Sequence, residues 1–242
     1  MTAGRWWQGP MLAFDTETTG PDPESARIVQ ACATLIRPDA EPVVSQWLVD
    51  PGMDIPEEAT AVHGITTAHV RAHGLAPHLA VKDIHSTLTG IWGLGFPVVI
   101  MNAPYDLTVL DRELLRHCGY GLGEVGHVVD PMVIDKTLDK WRRGKRTLAD
   151  LCQHYRVRLE DAHSAAGDCI AAARVAWRLA QVYPQVRDAD LGELDALQAR
   201  WRADWAADFQ HYLRTKAPER QPDAVIDGSW PVRRSTTAVD TR

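Results

Sequence analysis

Met11-Leu12-Ala13-Phe14-Asp15-Thr16-Glu17-Thr18-Thr19-Gly20 passes from an apolar run straight into two acids. In a strand, residues i and i+2 share a face, so Asp15 and Glu17 project together from the strand's end. Two carboxylates held side by side need a cation. Hard divalent ions such as Mg²⁺ or Mn²⁺ prefer oxygen ligands, and phosphoryl chemistry uses pairs of them about 3.5–4 Å apart, which requires several converging carboxylates. Taken alone, an Asp-x-Glu triplet serves equally well as a turn cap plus an exposed acid, so the remaining ligands have to come from elsewhere.

Outward from this stretch, Ile28 to Ile36 and Val43 to Val49 are strand-like runs rich in β-branched residues. Short connections make the three a meander of antiparallel strands behind a lead containing Trp6 and Trp7. Pro51 to Gly64 reads as a loop and then a helix, with Glu57 and Glu58 at its start, where the helix dipole favours acids. An amphipathic helix follows from Pro77 to about Trp92.

Pro97 to Met101 reads as a buried strand, and Asp106 to His117 as a helix whose Leu107, Leu110, Leu114 and Leu115 share a face. Val128-Val129 suggests a short strand, followed by helices near Met132 to Leu138, Thr147 to Tyr155 and Ala165 to Tyr183. Antiparallel strands first and strand-helix alternation later predict an α/β fold, a mixed sheet flanked by helices. Beyond Pro184 a helix from Leu191 to Arg214 carries Leu194, Leu197, Trp201, Trp205 and Phe209, a stripe read as core packing. The division expected is a domain over 1–184, a C-terminal helical extension over 185–216 and an irregular or mobile tail over 217–242. For Trp230-Pro231 in that tail, anchoring onto the domain and remaining free are both open.

At 242 residues the chain is long enough for one large core. A formal net charge of −6 argues against coating nucleic acid by bulk electrostatics. Locally the pattern differs, because Lys140, Arg142, Arg143, Lys145 and Arg146 fall together; this run is either a solvated turn or a contact to a substrate backbone, with Trp141 as a stacking ring. Apolar stretches are too short to cross a bilayer and no leader is legible, so the expectation is a cytoplasmic protein with no membrane partner. Four scattered cysteines form no C-x-x-C pair and read as small buried residues.

Two further segments carry chemistry. Asn102-Ala103-Pro104-Tyr105-Asp106 places an acid directly after a predicted buried strand, where a helix cap is the plain alternative. His163-Ser164-Ala165-Ala166-Gly167-Asp168 places a histidine in a loop and an aspartate in the first turns of a long helix. In order and spacing, the three segments resemble the DEDD superfamily of 3′-to-5′ exonucleases, in the branch with a catalytic histidine (DEDDh) that includes the proofreading epsilon subunit of bacterial replicative DNA polymerase.

The resemblance covers roughly residues 11–183 and implies a ribonuclease H-like fold. It makes Asp15, Glu17, Asp106 and Asp168 ligands of two divalent cations, Mg²⁺ or Mn²⁺, and His163 the general base. It also implies nucleotide contacts for Thr16 and Thr18, and for the loop Val62-His63-Gly64-Ile65-Thr66, where His63 could equally be structural and Gly64 allows close backbone approach. Asn102 and Tyr105 belong with these contacts, although Met101 and Tyr105 stand where the family often has histidine and phenylalanine. Asp130 matches a family aspartate outside the ligand set and is read as structural or as a support behind a ligand.

The function expected is removal of nucleotides from the single-stranded 3′ end of DNA, either free-standing or beside a DNA polymerase or another replication or repair protein. An exoribonuclease trimming RNA is the near alternative. A catalytically silent nucleic-acid-binding or docking module is the alternative of another class, and it is disfavoured because all five residues are present.

Overall fold

The computed structural model describes residues 5–159, 165–217 and 219–234. Three long strands open the fold: β1 (Met11–Thr18), β2 (Ile28–Arg37) and β3 (Ala40–Leu48), paired antiparallel as the alternation predicts. Two helices follow, α1 (Glu57–His63) and α2 (Thr67–His73). The second was not anticipated; Thr66 caps it, its side chain accepting from the His69 amide at 3.2 Å. Then come α3 (Pro77–Gly93), β4 (Val98–Val99), α4 (Ala103–Cys118), β5 (Val128–Val129) and α5 (Pro131–Leu138). The chain continues through α6 (Leu148–Tyr155), α7 (Ala165–Val182), the short α8 (Pro184–Arg187) and α9 (Leu191–Thr215).

The sheet order is β3-β2-β1-β4-β5, with β4 and β5 parallel to β1. This is the mixed α/β arrangement expected, a ribonuclease H-like fold. Its alternation sorts β1 into two faces. Met11 and Ala13 join a core with residues of α5, α6, α7 and α9, while Leu12 and Phe14 join a second core with α3 and α4. By the same period of two, Asp15 and Glu17 lie on the α7 side, and Thr16 and Thr18 on the α4 side.

Two boundaries differ from the sequence reading. The strand predicted over residues 97–101 shortens to Val98–Val99, because the chain turns at Asn102 into a left-handed conformation (φ 69°, ψ 50°) that Asn tolerates. The helix predicted from Asp106 begins at Ala103, with a proline in the first turn, where a missing N–H costs nothing. Asp130 makes that early start possible, accepting from the Asn102 and Ala103 amides at 3.1 and 2.9 Å.

Helix α9 closes the outer edge of β5 with side chains. Gln198 is buried; its Oε1 accepts from the Asp130 amide at 2.7 Å and its Nε2 donates to the Val128 carbonyl at 2.9 Å. Asp195 accepts from the Val128 amide at 3.1 Å. Backbone groups that would otherwise form an open edge are thereby paired. Leu194 and Trp201 are buried in the core, whereas Trp205 and Phe209, further along the same helix, stack outside it.

Residues 219–234 carry no helix or strand. They lie along α9, where Arg202 Nη2 donates to the Asp227 carbonyl at 3.0 Å and the Ile226 amide donates to Gln210 Oε1 at 3.0 Å. The segment then crosses to α4, the Arg233 amide donating to Thr108 Oγ1 at 2.9 Å, and Trp230 packs against both cores. Of the two states left open for Trp230-Pro231, the anchored one is observed. Among the described residues no helix is long and apolar enough to cross a membrane.

Candidate active site

At the carboxyl ends of parallel strands β1 and β4, three chain segments bring acids together. Crevices outside the carboxyl ends of strands are where open α/β sheets place ligands. Asp15 and Glu17 are the last inward-facing residues of β1, and the ladder to β2 shifts register between Glu17 and Thr18, a bulge of the kind found beside functional sites. Asp106 lies in the first turn of α4 and Asp168 in the first turn of α7.

Asp106 is held firmly. It is 3% exposed, and its Oδ1 accepts from both the amide and the hydroxyl of Thr16, at 3.0 and 2.7 Å. Thr16 therefore acts through Asp106, clamping the α4 acid against β1. On the same side Thr18 shares its hydroxyl with Tyr105, and both bond the Gly20 carbonyl. Tyr105 keeps a ring at this position and also ties α4 to the turn after β1.

The electrostatics show what the cluster lacks. Burial raises Asp15 well above the ordinary carboxylate range, and the neighbouring charges of Asp106, Glu17 and Asp168 push it further in the same direction. Burial likewise lifts Asp106 to about 7, against the opposing effect of its Thr16 hydrogen bonds. Four acids from three segments thus crowd into one partly dry site. The donor set is all oxygen and multiply negative, which fits hard divalent cations. The sequence-predicted ligands Asp15, Glu17, Asp106 and Asp168 are therefore brought together, whereas His163 lies outside the described residues.

Of the nucleotide-contact candidates, His63 ends α1 with Nδ1 accepting from the Ile65 amide at 3.1 Å. Burial lowers its pKa, and the nearby backbone of Thr18 works the other way, so the loop abuts the end of β1. Its Nε2 makes no hydrogen bond within normal distance among the described residues. Gly64 caps α1 at φ 75° with open space beside it; here the left-handed backbone itself calls for glycine. Asn102 stands at the head of α4, four residues before Asp106 along one helical turn.

Asp130 is structural, as read from the sequence. Fully buried, it accepts from four amides, those of Asn102, Ala103, Met132 and Val133, and so joins the starts of α4 and α5. The basic run of residues 140–146 needs correction in part. Arg142 Nη2 and Arg146 Nε lie 2.7 and 2.9 Å from the buried Asp135 carboxylate, which also accepts from the Tyr155 hydroxyl at 2.7 Å. Both arginines are half-buried structural partners, leaving Lys140, Arg143 and Lys145 exposed with Trp141. Asp135, Asp139 and His154 come close enough to hold a metal, but the arginines already neutralise Asp135.

Comparison with known proteins agrees with this geometry. Residues 12–176 match the RNase T exonuclease family. Over 108 residues the chain is 36% identical to a protein described as an uncharacterized exonuclease of Escherichia phage 186, covering 45% of this chain and 50% of that one. Over 177 residues it is 34% identical to a DNA polymerase III subunit epsilon-like protein of Rhodobacter capsulatus, covering 69% and 23%. The chain thus spans half or less of these relatives. Among solved structures, Escherichia coli exonuclease I in complex with a dA16 oligonucleotide superposes with a TM-score of 0.63 at 20% identity, covering 75% of this chain and 42% of that one. Exonuclease I from Methylocaldum szegediense gives 0.63 at 18%, covering 82% and 46%. At that identity the likeness is one of fold.

Proposed function

Because the chain belongs to the RNase T exonuclease family, we propose that it is a metal-dependent 3′-to-5′ exonuclease that releases nucleoside monophosphates from single-stranded DNA. The observation that carries the proposal is the convergence of Asp15, Glu17, Asp106 and Asp168, each raising the charge problem of the others. Divalent cations held by these oxygens supply positive charge to the phosphoryl group and its leaving oxygen. The remaining work falls to the chain's own side chains.

Thr16 holds the Asp106 carboxylate in place through two hydrogen bonds. His163, two residues ahead of α7 in sequence, takes the proton of the attacking water; an imidazole with an ordinary pKa near 6.5 is suited to this at neutral pH. His63, at the end of α1 beside Thr18, and the left-handed Asn102 flank the terminal nucleotide. The likeness to the epsilon-like protein extends the proposal to work beside a DNA polymerase or another replication or repair protein.

The test uses 3′-labelled and 5′-labelled single-stranded DNA and RNA with Mg²⁺, Mn²⁺ or chelator. Immediate release of labelled mononucleotide from the 3′-labelled strand, a shortening ladder from the 5′-labelled strand and preference for DNA are expected. Release first from the 5′ end, or turnover in chelator, would refute the proposal; faster RNA degradation would reassign the substrate.

A further inference from the structure

Where α5 meets α9, a groove of cations and aromatic rings leads away from Asn102. Beside Asn102 it is a crevice of about 10 Å³ against Lys136 and Trp205, and it opens to about 300 Å³ where Lys136, Trp205, Lys140 and Trp141 line it together with Asp204 and Asp208. Trp205 organises it. Lys136 Nζ lies 4.0 Å from the centre of that ring and the Arg202 guanidinium 4.7 Å, so cation–π attraction gathers two positive charges on one side chain. Phe209 stacks beside Trp205 at 5.3 Å.

The acids that line the open part, Asp204 and Asp208, are both exposed. Lys136 makes no ion pair among the described residues, and burial together with the nearby charges of Arg202 and Arg146 lowers it to about 8. Asp135 is already committed to Arg142 and Arg146, and the exposed pair of Lys140 with Asp208 is of the weak, exchangeable kind. Beyond them Trp141 stands 87% exposed with Lys140 Nζ 5.5 Å from its ring centre. A large aromatic ring left in water beside one unpaired lysine and one loosely paired lysine is what a strand of stacking bases and phosphates satisfies, because charge meets the backbone and the ring meets a base.

We propose that this groove is the track for the single strand upstream of its 3′ end, with phosphates against Lys136 and Lys140 and a base on Trp141, while the buried Arg202 holds the Trp205 ring from behind. The proposal rests on the nuclease reading, since it is continuity with Asn102, one turn ahead of Asp106, that makes the groove the exit from the centre. Helix α9 then serves the substrate as well as the sheet edge. An acidic peptide would satisfy the cations but leaves the exposed ring without a matching face.

The test measures binding of 5′-fluorescein-labelled dT3 and dT12 by anisotropy in chelator, for the full chain and for Lys136→Gln and Trp141→Ala. Each variant is expected to lose about tenfold in affinity for dT12, with a much smaller loss for dT3. Lys136→Gln should also lower the salt slope on dT12 by about 0.7. Trp141, being exposed, can be removed without disturbing the core. Equal losses on dT3 and dT12, or no loss on dT12, would overturn the track. Hydrolysis of both oligonucleotides with Mg²⁺ separates the two readings: no turnover together with length-dependent binding loss refutes the nuclease and keeps the track, whereas turnover with unchanged binding refutes the track alone.

Discussion

Two sets of aspartates in this protein face opposite surroundings. Asp130 and Asp135 are fully buried; the first is met by four amides, the second by two arginines and a tyrosine. Asp106 is buried to nearly the same degree, and with Asp15 it faces other carboxylates. A buried charge supplied with donors holds the fold together, and one set against like charges calls for something the chain does not contain. Asp130 joins the two sets, since it fixes the backbone at Asn102 and Ala103 from which Asp106 is presented.

The comparison breaks most sharply on catalysis. Asp15→Asn should reduce nucleotide release by more than about a thousandfold while melting no lower than the parent in chelator, because a repelled charge is removed. Single-turnover rates alongside thermal melts check both halves; a variant that keeps turnover removes Asp15 from the centre. Asp135→Ala should do the reverse. It strands Arg142 and Arg146 and should cost about 3 kcal/mol in urea unfolding, with the rate per folded molecule little changed. Equal stability of the two variants would erase the distinction drawn between the sets.

Acidity gives a subtler test. An acid whose folded pKa lies near 7, as for Asp106, against an unfolded value near 4, binds its proton more tightly when folded. Its contribution is complete below about pH 4 and is lost as pH rises through about 7. In chelator, the melting temperature of the parent should therefore fall between pH 5 and 7, and Mg²⁺ should restore most at the upper end. Asp15→Asn should flatten this slope; a slope unchanged by the substitution would place its origin elsewhere. The smallest effect expected is that of Gln198→Ala, about 1–2 kcal/mol of stability, since it unpairs the Asp130 amide and the Val128 carbonyl at the sheet edge. Proteolysis beginning near β5 would register it.

Much of this was legible in the residues. Period-two alternation placed Asp15 and Glu17 on one face, and the order of strands and helices gave the mixed sheet. What the sequence hid was long-range. Nothing local marks Gln198 as the partner of the β5 edge, because its two bonds span about seventy residues of chain. Asp130 likewise starts α4 from a distance, so the helix boundary was read three residues late. The basic run looked uniform in sequence, yet Arg142 and Arg146 point inward to an acid on α5 while Lys140 and Trp141 face out. One signal was available: Lys136 in the last turn of α5 and Lys140 just beyond it put two cations at the same end of that helix.

The central claim is that the crowded carboxylates exist to hold cations, and Mn²⁺ titration followed by calorimetry or electron paramagnetic resonance tests it without recourse to turnover. Saturable binding of two ions by the parent, lost or halved in Asp15→Asn and retained in Asp135→Asn, is the result predicted. Binding that is absent from the parent, or that survives Asp15→Asn and disappears with Asp135→Asn, would contradict it.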